Sequence, residues 1–104
     1  MPITGRGGMR LERSRAAERD LDDLLTFGTI RFGEAVADEY FFSFDDIFAR
    51  ILDHPGIGVA IDTIDPGVRK LTHRNHRVFY EIEGDCVRVL RILHHAMDVP
   101  EHLR

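Results

Sequence analysis

Hydrophobic residues recur along the chain with two different spacings, one typical of helices and one typical of strands, and these predict where its helices and strands lie. Apolar residues three or four positions apart predict one helix over residues 16–31, with Ser14 as its N-cap, and a second over residues 34–52. Gly33 stands between them as the expected terminator of the first helix. Because so short a connection turns the second helix back along the first, we expect an antiparallel helical hairpin.

Alternation of apolar and polar residues predicts the strands. Residues 9–13 form an early strand, and residues 68–71, 77–83 and 86–93 form three more that are joined by short turns. Residues 53–67, rich in glycine and proline, are expected to be an irregular linker. The predicted fold class is α+β, with an N-terminal strand, an antiparallel helix hairpin and then a three-stranded antiparallel meander.

Both ends of the chain are expected to lie outside the core. Residues 1–8 contain three glycines and a proline and predict a flexible tail, which leaves residues 9–104 as one domain. Near the other end, Asp98 is expected to cap a short helical turn that reaches Leu103. The core is expected to be complete at Leu93, with one face of the sheet under the helices and the other open to solvent or to a partner.

The composition excludes several classes of protein. Of the 104 residues, 43% are hydrophobic and 31% charged, which is typical of a folded chain and too apolar for a disordered one. The lone cysteine, Cys86, excludes a disulfide framework and a zinc site built on several thiolates, and it fits a reducing cytoplasm. No apolar run could span a bilayer and the first residues are unlike a secretory signal, so we expect a cytoplasmic protein without a membrane partner.

Charge is distributed unevenly along the chain. Residues 1–66 carry 7 Lys and Arg against 13 Asp and Glu, whereas residues 67–104 carry 7 against 5 and also hold five of the six histidines. The basic residues of the predicted meander could form a cationic sheet face that suits RNA phosphates or an acidic protein surface. The simpler interpretation is a solvated face whose charges prevent edge-to-edge pairing of strands.

Five phenylalanines lie between Phe32 and Phe48, mostly in the second predicted helix. The simplest interpretation is that they fill the core, since phenylalanine is among the residues most often buried. Any that remain on the outer face would form a partner-binding surface.

The histidines are candidate acid–base groups. An mRNA endonuclease needs a base for the 2′-hydroxyl, an acid for the leaving oxygen and a cation for the phosphorane, roles for which His95, His76 and Arg77 are candidates. Adjacent side chains of a strand point to opposite faces, so His94 and His95 cannot both serve one site. No HxH, HExxH or CxxC spacing is present, so neither a metal site nor a cofactor is expected.

Several short motifs follow one another in a characteristic order. They are Ala16 and Asp20-Leu21, Phe32-Gly33 with Ala37 and Tyr40, Pro55 and Gly58, the strand HRVFYEI from His76 to Ile82, and RILH from Arg91 to His94 with Asp98. In this order and spacing the chain, from Met9 to Leu103, resembles the RelE/ParE superfamily of toxins from bacterial type II toxin–antitoxin systems. Its end, HHAMDVPEHL, with no tyrosine after Tyr80, is more similar to ParE-like than to RelE-like toxins.

The resemblance implies a βααβββ fold and a toxin that inhibits DNA gyrase by protein–protein binding, without catalytic residues or direct sequence-specific contact with nucleic acid. It also implies a cognate ParD-like antitoxin and a toxin–antitoxin hetero-oligomer. A RelE-like, ribosome-dependent mRNA endoribonuclease stays open as the alternative, as does a family member that only binds an antitoxin. The residues expected to contact the target are Arg69, Arg74, Arg77, Arg88, Arg91, His94, His95 and Asp98. Those expected to contact the antitoxin are Leu24, Phe41, Phe44, Phe48 and Arg77.

Overall fold

Two helices packed against one face of a mixed β-sheet form the part of the chain that the computed structural model describes, residues 3–4, 8–101 and 103–104. The strands are β1 (Ile3–Thr4), β2 (Arg10–Arg13), β3 (Val59–Ala60), β4 (Val68–His73), β5 (His76–Glu83) and β6 (Cys86–His94). Their order in the sheet is β1-β2-β6-β5-β4-β3. Within the described residues, no helix is long and apolar enough to cross a membrane.

The predicted α+β order of elements is confirmed, with two additions. The meander of β4, β5 and β6 is antiparallel, whereas β2 pairs with β6 in parallel, so the sheet is mixed. β1 pairs with β2 at residues where we expected a flexible tail, and residues 1–2 and 5–7 of that predicted tail lie outside the described residues. β3 lies in the predicted linker, where two residues are too few to display an alternating pattern.

The predicted helical hairpin consists of α1 (Arg15–Phe32) and α2 (Glu34–Asp53), joined by Gly33 alone. Gly33 has a φ angle of 90°, in the left-handed region that favours glycine, which lets the chain reverse within one residue. Gly28 allows the helices to approach closely, because a β-carbon there would lie 3.3 Å from the β-carbon of Ala37.

Ser14 caps α1 as predicted and also ties the helix to the sheet. Its hydroxyl oxygen accepts from the backbone N–H of Ala17 at 3.0 Å, and the hydroxyl donates to the carbonyl oxygen of Leu90 at 2.7 Å. Leu90 is the extra residue of a β-bulge in β6, opposite the step from Phe79 to Tyr80 in β5. The bulge shifts the alternation of β6 by one residue, so Val89 and Ile92, three positions apart, both face the helices.

Apolar side chains are buried on both faces of the sheet. Under the helices, Leu21 and Phe44 pack with Val78 and Val87 in the larger cluster. The opposite face holds a second cluster, formed by Ile61, Val68, Phe79, Leu90, Leu93 and Leu103. The expectations that this face is open and that the core ends at Leu93 are therefore wrong.

The segment after β6 crosses the second face of the sheet and completes it. Leu103 is 3% exposed, and its N–H donates to the carboxylate of Asp65 at 3.4 Å. Arg104 binds the carboxylates of both Asp65 and Glu81. Residues 98–101 and 103–104 contain no helical turn, so the cap predicted at Asp98 is wrong; Leu103 instead packs into the second cluster.

The predicted linker is anchored to the sheet by a buried tyrosine. The hydroxyl of Tyr80 donates to the carbonyl oxygen of Pro55 at 2.7 Å and accepts from the N–H of Gly58 at 2.8 Å. The guanidinium of Arg69 then donates to the carbonyl oxygen of Gly58 at 2.7 Å. A short 3-10 helix, Pro55–Ile57, is fixed by these contacts at the end of α2.

Candidate partner-binding cleft

A cleft of about 740 Å³ lies between the helical hairpin and the neighbouring end of the sheet. α1 contributes Leu24 and Phe27 to its walls, and α2 contributes Val36 and Tyr40. Met97, just beyond β6, lines the cleft from the side of the sheet. The cleft exists because the hairpin extends past the last core contacts with the strands.

The walls of the cleft expose large apolar side chains. Phe27 is 63% exposed, Phe32 61%, Val36 54% and Met97 54%. Grouped exposure of this kind marks a surface that binds another molecule. Ile30, on the same hairpin and 82% exposed, is not among the residues that line the cleft.

The polar floor of the cleft centres on His76. Its Nδ1 lies 2.6 Å from the hydroxyl oxygen of Tyr40, which accepts from the N–H of Asn75 at 3.3 Å. Burial, and after it the neighbouring imidazole of His94, lowers the pKa of His76 to about 4. Burial also raises the pKa of Tyr40, so both side chains are neutral at pH 7.

His73, His76 and His94 form a histidine row across three strands, because His73 pairs with His76 and His76 pairs with His94 in the register of the sheet. The ring centroids of His76 and His94 are 5.3 Å apart. Nε2 of His73 lies 2.7 Å from the hydroxyl of Ser43, and burial lowers the pKa of His73. His76 and His94 line the cleft.

Two ion pairs stand at the rim. Asp20 of α1 accepts two hydrogen bonds from the guanidinium of Arg91, at 2.8 and 3.0 Å. Arg74, in the turn between β4 and β5, lies 4.0 Å from the carboxylate of Glu39 and over the ring of Tyr40. The side chain of Arg74 is 51% exposed, so it can turn toward a ligand in the cleft.

The arginines predicted to share one cationic face do not form one. Arg69 donates to the carbonyl oxygen of Gly58, and Arg77 donates to that of Met97 at 2.6 Å. Arg91 is bound to the carboxylate in α1 described above. Arg69 pairs with Tyr80 on the helix side of the sheet, whereas Arg77 lies over Phe79 on the opposite side. The expectation of a shared cationic face is therefore wrong.

The other predicted target residues are divided between two places. Arg74 and His94 line the cleft, and His95 and Asp98 are exposed just after β6. Arg88 is exposed in β6 on the face opposite the helices.

Of the residues predicted to contact an antitoxin, Leu24 lines the cleft and Phe41 is half-buried. Phe44 and Phe48 are each 1% exposed, so the expectation that they offer contact surface is corrected: they fill the core. Arg77 lies on the opposite sheet face from the cleft, over Phe79 of the second cluster.

The three candidate catalytic residues are not brought together. His76 faces the helices, whereas Arg77, its neighbour in β5, lies on the opposite face. His95 is exposed beyond β6, and His102 lies outside the described residues. Across residues 8–101 and 103–104, no group of three or more His, Cys, Asp or Glu side chains is arranged to hold a metal ion.

Sequence reasoning placed Leu24, and any phenylalanine from Phe32 onward that stays exposed, at a partner surface, but it missed the other apolar walls of the cleft, Phe27, Val36 and Met97. Phe27 and Ile30 are three positions apart, which places two large apolar residues on a face of α1 away from the buried stripe. That spacing was the available signal for an exposed apolar surface. Nothing in the spacing of Met97, which follows the last strand, indicated that it would line the same cleft.

A helical hairpin on a mixed sheet, with an open apolar cleft beside it, defines a class of small α+β proteins suited to binding another macromolecule. Comparison with known proteins then gives the family. The family model described as the ParE toxin of the type II toxin-antitoxin system, parDE, matches residues 11–99. The chain belongs to this toxin family.

Individual relatives agree with the family. The chain is 34% identical over 90 residues to Toxin ParE1 of Caulobacter vibrioides, which covers 86% of this chain and 93% of that protein. It is 35% identical over 91 residues to Toxin ParE1 of Mycobacterium tuberculosis, with the same shares of the two chains. A solved structure of the chromosomal ParDE TA system from P. aeruginosa has the same fold, with a TM-score of 0.74 at 23% identity, over 83% of this chain and 95% of that chain.

Proposed function

We propose that this protein inhibits bacterial growth by binding DNA gyrase in the cytoplasm, and that a cognate ParD-like antitoxin neutralises it in a hetero-oligomer. The observation that carries the proposal is the family match over residues 11–99. The family resemblance implies gyrase as the target, and the relative from P. aeruginosa is described as a ParDE system. The cleft supplies a surface on which the antitoxin could act.

The antitoxin is proposed to lay an amphipathic helix in the cleft. Its apolar face would cover Phe27, Phe32 and Val36, and its polar face would meet the charged rim. A segment that folds as it docks would also shield the exposed phenylalanines from water. Docked in this way, the antitoxin helix would lie beside the two helices of the hairpin as a third helix.

The gyrase contact is proposed to include His95 and Asp98, the exposed residues that follow β6. Met97, between them, lines the cleft, so an antitoxin seated there would cover part of the same segment. Neutralisation then needs no change of fold, because antitoxin and gyrase compete for adjoining surface.

The proposal is tested with purified protein. The toxin should inhibit gyrase supercoiling, and the product of the adjacent small gene should restore it. Phe27→Ser should weaken binding of that antitoxin by about tenfold or more, the typical effect of truncating an apolar anchor. Ile30→Ser is the matched control, since Ile30 is more exposed but does not line the cleft, and it should leave the affinity unchanged. Full supercoiling activity at saturating toxin would refute the gyrase target.

The alternative is an mRNA interferase, for which the hydrogen-bonded pair of Tyr40 and His76 beside Arg74 is the favouring observation. With a pKa of about 4, however, His76 is a weak base at neutral pH. Alanine substitution of His73 or His76 should leave gyrase inhibition within a few-fold of the parent. The same holds for His95, although it belongs to the proposed gyrase contact, because a binding interface spreads its energy over many residues. Loss of a catalytic acid or base would instead cost about 10²–10⁴-fold in transcript cleavage. Brief expression in cells separates the two further, since filamentation with a DNA-damage response indicates gyrase and cleaved transcripts indicate the interferase.

A further inference from the structure

The hydrogen bonds around the histidine row bear on which ring nitrogens of His76 and His94 are donors. The hydroxyl oxygen of Tyr40 accepts from the N–H of Asn75, and its own proton is available for Nδ1 of His76, 2.6 Å away. Nδ1 of His94 accepts from the N–H of Ala96 at 3.1 Å. Because Nδ1 of His94 accepts, Nε2 is the nitrogen of His94 that carries a proton, and Nε2 is likewise the donor of His76 in the tautomer whose Nδ1 accepts from Tyr40.

These two donors have no acceptor in the part of the chain that the structure describes. Across the described residues, 8–101 and 103–104, Nε2 of His76 and Nε2 of His94 make no hydrogen bond, and both side chains line the cleft. The guanidinium of Arg74 lines the same cleft. The floor of the cleft therefore presents several hydrogen-bond donors among apolar walls, where an acceptor is bound more strongly than in water.

We propose that His76, His94 and Arg74 together bind a carboxylate, the side chain of an Asp or Glu in the antitoxin segment that docks in the cleft. This rests on the proposed function, which places the antitoxin there. A carboxylate offers acceptors only, so it satisfies donors from two imidazoles and a guanidinium at once. An amide or hydroxyl would bring donors of its own to a site that already consists of donors.

Among the described residues, acidic groups do not hydrogen-bond to the two imidazoles of the site, although the carboxylate of Glu39 lies 4.0 Å from the guanidinium of Arg74. Asp20 is held by Arg91 in two hydrogen bonds. Asp23 is exposed on α1, and the side chain of Glu39 is 76% exposed at the outer rim. Asp46, the remaining carboxylate near the histidine row, is exposed beside His73 at its far end.

Basic groups around the histidine row add to the attraction for a carboxylate. The positive charges of Arg74, in the turn, and of Arg50, in α2, both lower the pKa of His73. Arg31 of α1 lines the cleft, and His95, which follows β6, lowers the pKa of His76. In the free protein these groups oppose protonation of the row, and a bound carboxylate would reverse that balance.

The site thus predicts proton uptake when the complex forms. His76 is neutral in the free protein at pH 7 because its pKa is about 4. A carboxylate against Nε2 favours the charged imidazolium and raises that pKa, so binding strengthens as the pH falls. Uptake of one proton strengthens binding by about tenfold per pH unit, and partial uptake by less.

Isothermal titration calorimetry of the full chain with the antitoxin from the adjacent gene tests this. The dissociation constant is measured at pH 7.5 and 6.0. The heat of binding is measured in phosphate and in Tris, because their ionisation enthalpies differ and the difference in heat gives the number of protons taken up. Tighter binding at pH 6.0 with proton uptake is expected. His76→Gln and His94→Gln keep a donor but cannot become charged, and each should reduce the uptake. His54→Gln, an exposed histidine at the end of α2, is the matched control.

The outcomes separate the two proposals. Tight binding that is independent of pH and takes up no proton overturns the carboxylate site and leaves the antitoxin proposal intact. No binding by the unaltered chain overturns the antitoxin proposal itself. If His76→Gln does not fold, the binding of His94→Gln and Arg74→Gln tests the carboxylate site instead. Both of these side chains are at least partly exposed, so their replacement should leave the fold intact. Replacement of each antitoxin Asp or Glu by its amide should find one position that abolishes the pH dependence, and finding none refutes the site.

Discussion

Arg91 of β6 holds Asp20 of α1 through two parallel hydrogen bonds, and the same carboxylate accepts from the N–H of Ile92 at 2.9 Å. The side chains of Asp20 and Arg91 are only 12% and 25% exposed. The contact joins the helix to the strand just after the bulge, so it fixes the angle at which the hairpin leaves the sheet.

Removal of this carboxylate should destabilise the fold. Asp20→Ala leaves the guanidinium of Arg91 largely enclosed without a counter-charge, which costs about 3 kcal/mol in the free energy of unfolding. Asp22→Ala, on the exposed side of α1, is the control and should change it by about 0.5 kcal/mol or less. Urea denaturation measures both, and equal effects would show that the ion pair does not fix the helix.

The two glycines that flank Ile57 should respond differently to alanine. A β-carbon at Gly58 would lie 2.7 Å from the hydroxyl of Tyr80, so Gly58→Ala should cost about 2–3 kcal/mol of stability. A β-carbon at Gly56 would meet no heavy atom within 4 Å, so Gly56→Ala should be tolerated. Thermal melts of the pair test the prediction, which fails if the two variants melt together.

The hydroxyl of Tyr80 should contribute to stability separately from its ring. Tyr80→Phe removes the hydrogen bonds to Pro55 and Gly58 while the aromatic ring stays buried. The expected loss in the free energy of unfolding is about 1–2 kcal/mol, because a buried carbonyl and a buried N–H lose their partner. No loss in urea denaturation would mean that water replaces the hydroxyl.

Leu103 should behave as a core residue although it lies past the last strand. Leu103→Ala opens a cavity in the second cluster and should cost about 2–4 kcal/mol. Glu101→Ala, exposed two residues earlier, should have little effect on the same unfolding curve. A small loss at Leu103 would instead support the sequence-based expectation that this segment is dispensable for folding.

Stability should fall in mild acid because of His76. Its pKa is about 4 in the folded protein and near 6.5 in an unfolded chain, so between these values the unfolded chain binds a proton that the folded protein excludes. The free energy of unfolding should therefore decrease as the pH falls from 6.5 to 4, by less than the about 1.4 kcal/mol per pH unit of one full proton. His76→Gln should flatten this dependence in urea titrations, and His54→Gln should not.

The periodic elements were predictable from sequence because each repeats its own pattern. Both helices and the strands of the meander were found within two residues at each end, and Ser14 was identified as a cap from its type and place. The parallel pairing of β2 with β6 was not predicted, since alternation within a strand carries no information about its neighbour.

The cleft and the covered second face were not predictable for a different reason. Both depend on residues far apart in the chain, such as Phe27 with Met97 and Ile61 with Leu103. Each residue alone is apolar and uninformative, and only the folded sheet brings them together. Charge was misleading for the same reason, because the sequence does not reveal that Arg69, Arg77 and Arg91 bind groups of this chain.

β2 begins at Arg10, and its partner β6 begins at Cys86. β2 and β6, two neighbouring inner strands of the sheet, thus come from opposite ends of the described chain. Contacts of such long range form late in folding. During synthesis the early strand and both helices leave the ribosome before their central strand exists. The nascent chain therefore cannot complete its sheet, or the cleft that His94 and Met97 line, before β6 has left the ribosome.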